Sequence, residues 1–436
     1  MERKQGKKLN LLYDASVLIN GAKNSTARSG VYFVAYNLLL EMLKREDLSV
    51  KIYCYPKYRH LLDEVIKNDE NLKNLSIAEY SKIDKMVIHF EYLKYQNKKQ
   101  KNSKIVRVAI KTLLNCFKFI SEIGNTYKIN QEYKKIFKEI DAFFSPWQAV
   151  PQEIKNISHI KKYELIHDVI PLIFPENFPD MQDEKSSIYK RFHSFDNDVF
   201  YFANSEYTKQ DFVKHTNISS ENVAVIPLST GIKYDVIRDK NQIDLVKEKY
   251  NIPKNKKYLF SLCTLEPRKN LVFAVKNFIE FIKRNNIDDF VFVLGGGHWK
   301  HFIEQLNDAI GDLDSFQDKI IKIGYVFDED LAALYGGAEM FVFPSLYEGF
   351  GMPILEAMKC GCPVICSNVS SMPEVIGDCG IQINPTDDEE LINAFKTMYF
   401  DGEQREKFIN KGLDRAKSFT WEKSVDVIIE EISKNV

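Results

Sequence analysis

One stretch decides the fold: Pro344-Ser345-Leu346-Tyr347-Glu348-Gly349-Phe350-Gly351-Met352-Pro353-Ile354-Leu355-Glu356. The apolar run before it predicts a buried strand, and Pro353 starts a short predicted helix that ends before Gly361. A strand, a glycine loop and a helix N-terminus in this order present backbone amides and a helix dipole to an anion, typically a phosphate. Glu348 and Glu356 lie beside that anion site, where carboxylates accept hydrogen bonds from sugar hydroxyls. The stretch therefore predicts a site for a sugar nucleotide.

A second motif, Glu266-Pro267-Arg268-Lys269-Asn270, follows a predicted strand from Tyr258 to Leu262. Two adjacent cations at the carboxyl end of a strand are placed to neutralise a diphosphate, Arg268 as a bidentate fork and Lys269 as a point charge. Such fixed charges stabilise the negative charge that develops on a leaving phosphate. Taken alone, the first motif would more often be a turn in which Phe350 and Met352 fill the core and both glutamates are solvated, and the second would more often be a solvated turn; their combination favours the ligand site.

Three weaker signals also lie at strand ends or helix starts. His167 ends an apolar strand, where it would face a cleft between two domains, with a structural role as the alternative. Ser29 and Gly30 precede a helix predicted from about Val31, and Tyr325-Val326 closes another strand, where backbone groups could meet a nucleobase.

Strand-like and helix-like runs alternate along the 436 residues, which predicts an α/β fold with parallel sheets. The length exceeds that of one usual core, so we expect two doubly wound domains with ligands bound in the cleft between them. The predicted divisions are residues 1–230, residues 231–420, and a last helix in residues 421–436 that packs back towards the N-terminal domain.

Charge is divided unevenly along the chain. Residues 1–230 carry 35 Lys and Arg against 28 Asp and Glu, whereas the remainder carries 25 against 33. A basic first half suggests an anionic partner, and nucleic acid is not expected because no basic-aromatic binding motif accompanies the charge. The seven cysteines are odd in number and lack the spacing of a metal site, which indicates unpaired thiols in a reducing cytosol.

An insertion at about 94–120 concentrates this basic charge. Residues 94–118 include eight Lys and Arg and no acidic residue, and apolar side chains keep helical spacing within it. The pattern predicts an amphipathic helix on an anionic membrane surface, with a helix packed on its own domain as the alternative. With neither a signal peptide nor an apolar stretch of spanning length recognised, we expect a cytoplasmic protein, peripheral at the inner face of the cell membrane.

These motifs resemble those of the retaining glycosyltransferases with the two-Rossmann GT-B fold, commonly called family 4 or glycosyl transferases group 1. The resemblance extends over most of the chain and is most specific in two runs, Glu266 to Asn270 and Pro344 to Met358. The family implies transfer with retention, without a metal or other cofactor.

The resemblance also implies a role for each site residue. Arg268 and Lys269 would hold the donor diphosphate, and Glu348 with the loop Gly349-Phe350-Gly351-Met352 would hold the transferred sugar. The ribose hydroxyls would bind Glu356. Tyr325 and Val326 would lie beside the base, His167 near the reacting sugar, and Ser29 and Gly30 in the loop near donor and acceptor. Members of the family often have several glycines at that loop, where this sequence keeps only Gly30, so the acceptor contacts are the least defined. Many members also have Gly at the position of Cys263 and some have an extra Arg nearby, which leaves more of the phosphate neutralisation to Arg268 and Lys269 here.

The predicted function is transfer of a hexose, with mannose favoured, from a nucleotide-sugar donor to a glycan or lipid-linked saccharide in surface polysaccharide assembly. Two alternatives stay open. A sugar-nucleotide epimerase or phosphorylase could use the same scaffold, and a non-catalytic protein could bind a sugar nucleotide or membrane in support of another transferase.

Overall fold

The structure is a computed structural model that describes residues 8–20, 30–99, 110–113, 126–231, 233–264, 266–297, 304–305 and 316–436. The chain divides into two compact units. The first comprises the described residues up to Asn204 together with 209–226 and 421–436, and the second comprises residues 205–208 and 227–420.

The first unit is built on a seven-stranded parallel sheet with strand order β3-β2-β1-β4-β5-β6-β7. The strands are β1 (Leu9–Asp14), β2 (Leu48–Tyr53), β3 (Ser76–Ile77), β4 (Ala142–Ser145), β5 (Lys161–Ile166), β6 (Val199–Ala203) and β7 (Val223–Val225). The strand order reverses between β1 and β4, and this reversal point is where α/β sheets bind ligands, beyond the carboxyl ends of the strands.

The second unit is built on a six-stranded parallel sheet with strand order β10-β9-β8-β11-β12-β13. The strands are β8 (Lys257–Leu262), β9 (Phe290–Gly295), β10 (Ile320–Gly324), β11 (Met340–Phe343), β12 (Val364–Ser367) and β13 (Ile381–Ile383). Here the order reverses between β8 and β11, which are paired through Met340 and Leu259. The loops after β8 and β11 therefore leave the same edge of the sheet side by side.

Most of the described α-helices lie between successive strands along the chain, and the last three follow β13. They are α1 (Gly30–Leu43), α2 (Arg59–Asn68), α3 (Lys82–Lys99), α4 (Thr126–Ile136), α5 (Gln152–Lys155), α6 (Ile170–Ile173), α7 (Ser187–Phe192), α8 (Glu206–His215), α9 (Lys240–Lys249), α10 (Leu271–Arg284), α11 (Asp328–Gly336), α12 (Met352–Lys359), α13 (Met372–Ile376), α14 (Asp388–Phe400), α15 (Gly402–Ala416) and α16 (Trp421–Asn435). The last helix, α16, belongs to the first unit and packs on α1 there. An ion pair between Arg45 and Asp426, 2.5 Å long, closes the same contact. Among the described helices, none combines the length and the apolar character required to cross a lipid bilayer.

The core of the second unit is formed by aromatic and branched side chains from the sheet and from α10 and α14. Phe278, Phe292 and Phe395 are fully buried in this cluster. Every residue of β9, Phe290–Gly295, is buried. This agrees with its continuous apolar sequence, because a parallel strand covered on both faces has no polar side. A rigid sheet of this kind fixes the strand ends from which the site loops start.

Candidate functional site

The two sequence motifs meet at the strand-order reversal of the second unit. The first motif follows β8 as a short 3-10 helix, Pro267–Lys269, and Asn270 then adopts a left-handed conformation, φ 57°, before α10 begins. The second motif follows β11. A backbone hydrogen bond from the Leu346 amide to the Arg268 carbonyl, 2.8 Å long, joins the two loops. The sheet order thus brings together residues that lie almost eighty positions apart.

Two predicted site residues converge on a carboxylate oxygen of a third. Lys269 Nζ lies 2.6 Å and Arg268 Nη1 lies 3.1 Å from Oε1 of Glu348. The hydroxyl of Ser345 donates to the same oxygen at 2.6 Å. The recorded contacts of this carboxylate all involve Oε1, so Oε2 has no recorded partner among the described residues. Glu348 therefore keeps one oxygen available as an acceptor for a ligand hydroxyl.

Charge determines the ionisation of Glu348. Burial alone would raise the pKa of this carboxyl, but Lys269 and Arg268 outweigh burial, so that the pKa lies below its ordinary value. Glu348 is thus an anion near neutral pH, and each neighbouring cation is partly neutralised by it. The Cys263 thiol beside this cluster has its pKa raised to about 12, chiefly by burial, and stays protonated.

The backbone of the glycine loop is held by hydroxyl groups. The Glu348 amide donates to Oγ of Ser370 at 3.0 Å, and Oγ of Ser371 donates to the Glu348 carbonyl at 2.9 Å. Ser370 has φ 53°, a left-handed conformation that is costly for a residue other than glycine and that recurs at functional sites. Sequence reasoning did not find these serines, since they lie beyond β12 and carry no pattern of their own.

The loop ends on the helix that the sequence predicts. Gly351, with φ 100°, is the N-cap of α12, Met352 is its first residue, and Pro353 is its second. The Phe350 side chain is buried and meets the Phe419 ring edge-to-face at 6.1 Å, so only its backbone is suited to a ligand. Within the described residues, no recorded hydrogen bond uses the amides of Phe350 or Gly351 as donors. Together with the Met352 amide they form a helix N-terminus whose amide donors suit the oxygens of a ligand, because Pro353 has no N–H and the Ile354 amide donates to the Gly351 carbonyl.

Glu356 lies in the second half of α12, in a different environment. The hydroxyls of Tyr234 and Tyr335 both donate to its carboxyl group, the latter at 3.1 Å. Burial raises the pKa of Glu356 to about 7, and the two phenols only partly oppose this. Neither tyrosine was identified from the sequence. The one available signal is that a buried tyrosine hydroxyl generally requires a hydrogen-bond partner, and Tyr335 is fully buried.

The predicted base-binding residues follow β10. Tyr325 is 44% exposed and meets the ring of Phe327, 48% exposed, edge-to-face at 5.4 Å. Val326 is buried, so it can offer a ligand only its backbone. Both rings are exposed at the carboxyl end of this strand, which the sequence alone does not show for Phe327, and Lys249 Nζ lies 4.9 Å from the centre of the Phe327 ring.

His167 follows β5 in the first unit. Its Nε2 lies 2.8 Å from the Pro146 carbonyl oxygen, and because a carbonyl only accepts, Nε2 carries the proton. Burial, with a smaller effect of Arg191, lowers the pKa of His167 to about 4, so the ring is neutral. The Trp147 ring meets the imidazole at 5.6 Å, and Asn204 donates to the His167 carbonyl at 2.8 Å. The remaining nitrogen, Nδ1, is an acceptor.

The predicted loop residues Ser29 and Gly30 and the insertion at 94–120 are only partly described by the structure. Gly30 is the first residue of α1 and has open space where a side chain would be, whereas Ser29 lies outside the described residues. Of the insertion at 94–120, only residues 94–99 and 110–113 are described, and both stretches are helical. No group of three or more His, Cys, Asp or Glu residues in the described ranges is arranged to hold a metal ion.

Comparisons with known proteins show similarity to glycosyltransferases. The family model described as "Glycosyl transferases group 1" matches residues 242–415, which lie within the second unit. "O-antigen chain mannosyltransferase B" of Escherichia coli is 31% identical over 257 residues, which cover 59% of this chain and 66% of the relative. "Serotype-specific mannosyltransferase WbdA" of Escherichia coli is 29% identical over 272 residues, which cover 62% of this chain and 33% of the relative. The chain thus spans about two thirds of the first relative and about a third of the second.

Among solved structures, HepE from Anabaena in complex with UDP and glucose has a TM-score of 0.62 at 15% identity, covering 98% of this chain and 100% of that chain. At this identity the likeness shows the fold alone. The predicted fold class, α/β with two doubly wound sheets of the GT-B type, is confirmed. Residues 242–415 thus match the glycosyl transferases group 1 family, as the motifs predicted.

Proposed function

We propose that this protein is a retaining glycosyltransferase. It transfers a hexose, with mannose favoured, from a nucleotide-sugar donor to a glycan or lipid-linked saccharide in the assembly of a surface polysaccharide. The observation that carries the proposal is the convergence of Lys269 and Arg268 on Glu348 beside the amides of the glycine loop. The mannose preference rests on the relatives, which are named mannosyltransferases.

The cation pair suits a leaving diphosphate. Breaking the bond between the sugar C1 and the phosphate oxygen places negative charge on that oxygen, and fixed cations lower the energy of this transition state more than that of the ground state. Glu348 pairs with both Lys269 and Arg268 and partly neutralises them. An arriving diphosphate would share these cations, so that Glu348 is freed to bind hydroxyls of the transferred sugar.

The two glutamates would hold opposite ends of the donor. Oε2 of Glu348 and the loop amides would bind the transferred sugar. Glu356, in the second half of α12, would accept hydrogen bonds from the ribose. Tyr325 would lie beside the base. Nδ1 of His167 would accept a hydrogen bond from the reacting sugar, since Nε2 is used by Pro146.

We infer a front-face mechanism, because no side chain of the described site is placed as an evident nucleophile. The acceptor oxygen would attack C1 on the face that the diphosphate leaves, the C1–oxygen bond to phosphate would break, and the acceptor proton would pass to the departing phosphate oxygen. The configuration at C1 is then retained. Protein cations and the dipole of α12 supply the charge stabilisation that a metal provides in other transferases.

The experiment measures nucleotide release from a panel of GDP-, UDP-, ADP- and dTDP-sugars, with and without glycan acceptors. Release that requires an acceptor, with product of unchanged anomeric configuration by NMR, supports the proposal. Conversion of the donor into another nucleotide sugar without an acceptor would instead identify an epimerase. Turnover that is lost in EDTA and restored by Mg²⁺ or Mn²⁺ would contradict metal independence.

We also propose contact with an anionic membrane surface at the inner face of the cell membrane, through the insertion at 94–120 and the helix α3 that leads into it. The support comes from the outer face of α3, where Met86, Tyr92 and Leu93 are 41%, 47% and 37% exposed. Lys82 and Lys85 are exposed on the same face of this helix. Apolar side chains flanked by lysines suit the boundary between head groups and acyl chains.

Flotation with liposomes tests this contact. We expect the protein to float with vesicles that contain phosphatidylglycerol and to remain behind with purely zwitterionic vesicles. The double variant Met86→Ser/Leu93→Ser should float less. Equal flotation of wild type and variant would remove α3 from the contact, and no flotation at low salt would remove the membrane itself.

A further inference from the structure

Two hydroxyl groups from a distant part of the sequence meet the glycine loop. Oγ of Ser205 and Oγ1 of Thr208 both donate to the carbonyl oxygen of Gly349, at 2.8 Å and 2.9 Å. Residues 205–208 belong to the second unit, as does the loop. Both side chains are buried, so water does not compete with these hydrogen bonds.

The Ser205 hydroxyl acts both as a hydrogen-bond acceptor and as a donor. It is placed as the N-cap of α8, where its Oγ accepts a hydrogen bond from the Thr208 amide at 3.0 Å. Because the lone pair serves the helix, the hydroxyl proton is directed at Gly349. Thr208 is not a cap, and its hydroxyl has the Gly349 carbonyl as its recorded acceptor.

A peptide unit transmits this anchoring to the opposite side of the backbone. A trans peptide is planar, and its C=O and N–H point in opposite directions. Fixing the Gly349 carbonyl towards Ser205 and Thr208 therefore directs the Phe350 amide away from them. Ser371 fixes the preceding carbonyl, that of Glu348, in the same manner. Two successive amides, of Gly349 and Phe350, are thus oriented by hydroxyl donors.

We propose that Ser205 and Thr208 are positioning residues for the donor sugar, and that they act by orienting the Phe350 amide. This rests on the proposed function. Glycine permits many backbone conformations, so the peptide after Gly349 would rotate readily without its two donors. The amide would then lose its fixed direction towards an oxygen of the transferred sugar, whereas the nucleoside diphosphate part of the donor would be unaffected.

The test compares two ligands on each variant by calorimetry. The first probe is the GDP-, UDP-, ADP- or dTDP-sugar that raises the melting temperature of the wild type most. The second probe is the corresponding nucleoside diphosphate. Thr208→Val removes one donor but keeps the shape of the side chain, and Thr208→Ser keeps the hydroxyl. Ser205→Gly removes the other donor, and glycine is tolerated as an N-cap. Thr216→Val is the matched control, because it removes a hydroxyl that donates to the Phe212 carbonyl, away from the loop.

We expect Thr208→Val and Ser205→Gly each to weaken binding of the sugar nucleotide by up to about tenfold, the effect of one hydrogen bond. The nucleoside diphosphate should bind as to wild type, and Thr208→Ser and Thr216→Val should match wild type for both ligands. Equal weakening for both ligands would show a general structural role and overturn the inference, as would unchanged binding in both variants. A wild type that binds no sugar nucleotide would instead overturn the proposed function.

Discussion

Replacing Lys269 with methionine isolates the charge that the proposed mechanism requires. The methionine keeps an apolar stem, which can still pack where Lys269 Nζ lies 5.2 Å from the centre of the Phe343 ring. The ammonium group 2.6 Å from Glu348 Oε1 is lost. The variant therefore changes electrostatics at the diphosphate position with little change in packing.

The expected effects on rate and on stability differ in size. Removing one preorganised group that stabilises transition-state charge typically lowers kcat by about 10²–10³, or about 3–4 kcal/mol. Removing one partner of a buried ion pair costs about 3–5 kcal/mol of stability. Glu348 retains Arg268 at 3.1 Å and Ser345 at 2.6 Å, however. We therefore expect a smaller loss of stability, about 1–2 kcal/mol.

Two measurements separate the effects. Urea unfolding gives the free energy of unfolding, and steady-state nucleotide release gives kcat and KM for donor and acceptor. Lys276→Met is the matched control, since Lys276 is 54% exposed and pairs with a half-exposed Asp388 at 3.0 Å. An exposed pair contributes less than about 1 kcal/mol, so both stability and kcat should stay near wild type.

A double variant completes the design. In Lys269→Met/Glu348→Gln neither partner is charged, so stability should partly return while kcat stays low. A Lys269→Met enzyme whose kcat falls less than about tenfold would refute the assignment of this cation to the diphosphate. Recovery of kcat together with stability in the double variant would show that the loss came from misfolding.

Three further predictions concern single residues. The pKa of Glu356 is raised to about 7. Between the ordinary pKa of a carboxyl group and about pH 7, the folded state therefore keeps a proton that the unfolded state has lost. The free energy of unfolding should accordingly fall as the pH rises through this range. Glu356→Gln should flatten this decline in a series of melting temperatures; an unchanged slope would contradict the assignment. The pKa of His167 is lowered to about 4, so its imidazole NMR signals should stay those of a neutral ring down to about pH 5. A titration midpoint near the ordinary value of about 6.5 would contradict the burial of this ring. Gly351→Ala forces a side chain onto a backbone with φ 100° and should cost about 1–3 kcal/mol in urea unfolding; a variant as stable as wild type would show that the loop relaxes freely.

The sequence was most informative where a local pattern carries the chemistry. Arg268, Lys269 and Glu348 were selected because each lies just after a predicted strand, and parallel strands end at one edge of a sheet. The pairing of β8 with β11 could not be read from the sequence, since two strands separate them along the chain. It follows from the reversal of strand order, which is a property of the whole sheet.

The contacts made by serine and tyrosine hydroxyl groups were not predicted, for a physical reason. Ser205 lies 144 positions from Gly349, and Tyr335 lies 21 positions from Glu356. A serine or tyrosine hydroxyl is a common group whose partner depends on the fold, so no spacing rule identifies it in one sequence. The insertion at 94–120 was distinctive in charge, but most of it lies outside the described residues, and its membrane contact stays a prediction.

The two glutamates of the motif show how far spacing alone can be taken. They are the same residue type on one short segment, yet cations lower the pKa of Glu348, whereas burial raises that of Glu356 to about 7 beside two phenols. Glu348 is therefore always charged near neutrality and suited to a site that also holds cations and phosphate. Glu356 can release its proton when a bound ligand supplies hydroxyl donors. The hydroxyls of a ribose could then donate to Glu356 in place of Tyr234 and Tyr335, so that the buried carboxylate would keep its hydrogen bonds. Donor binding should accordingly release a fraction of a proton near pH 7, and calorimetry in buffers of different ionisation enthalpy measures that fraction directly.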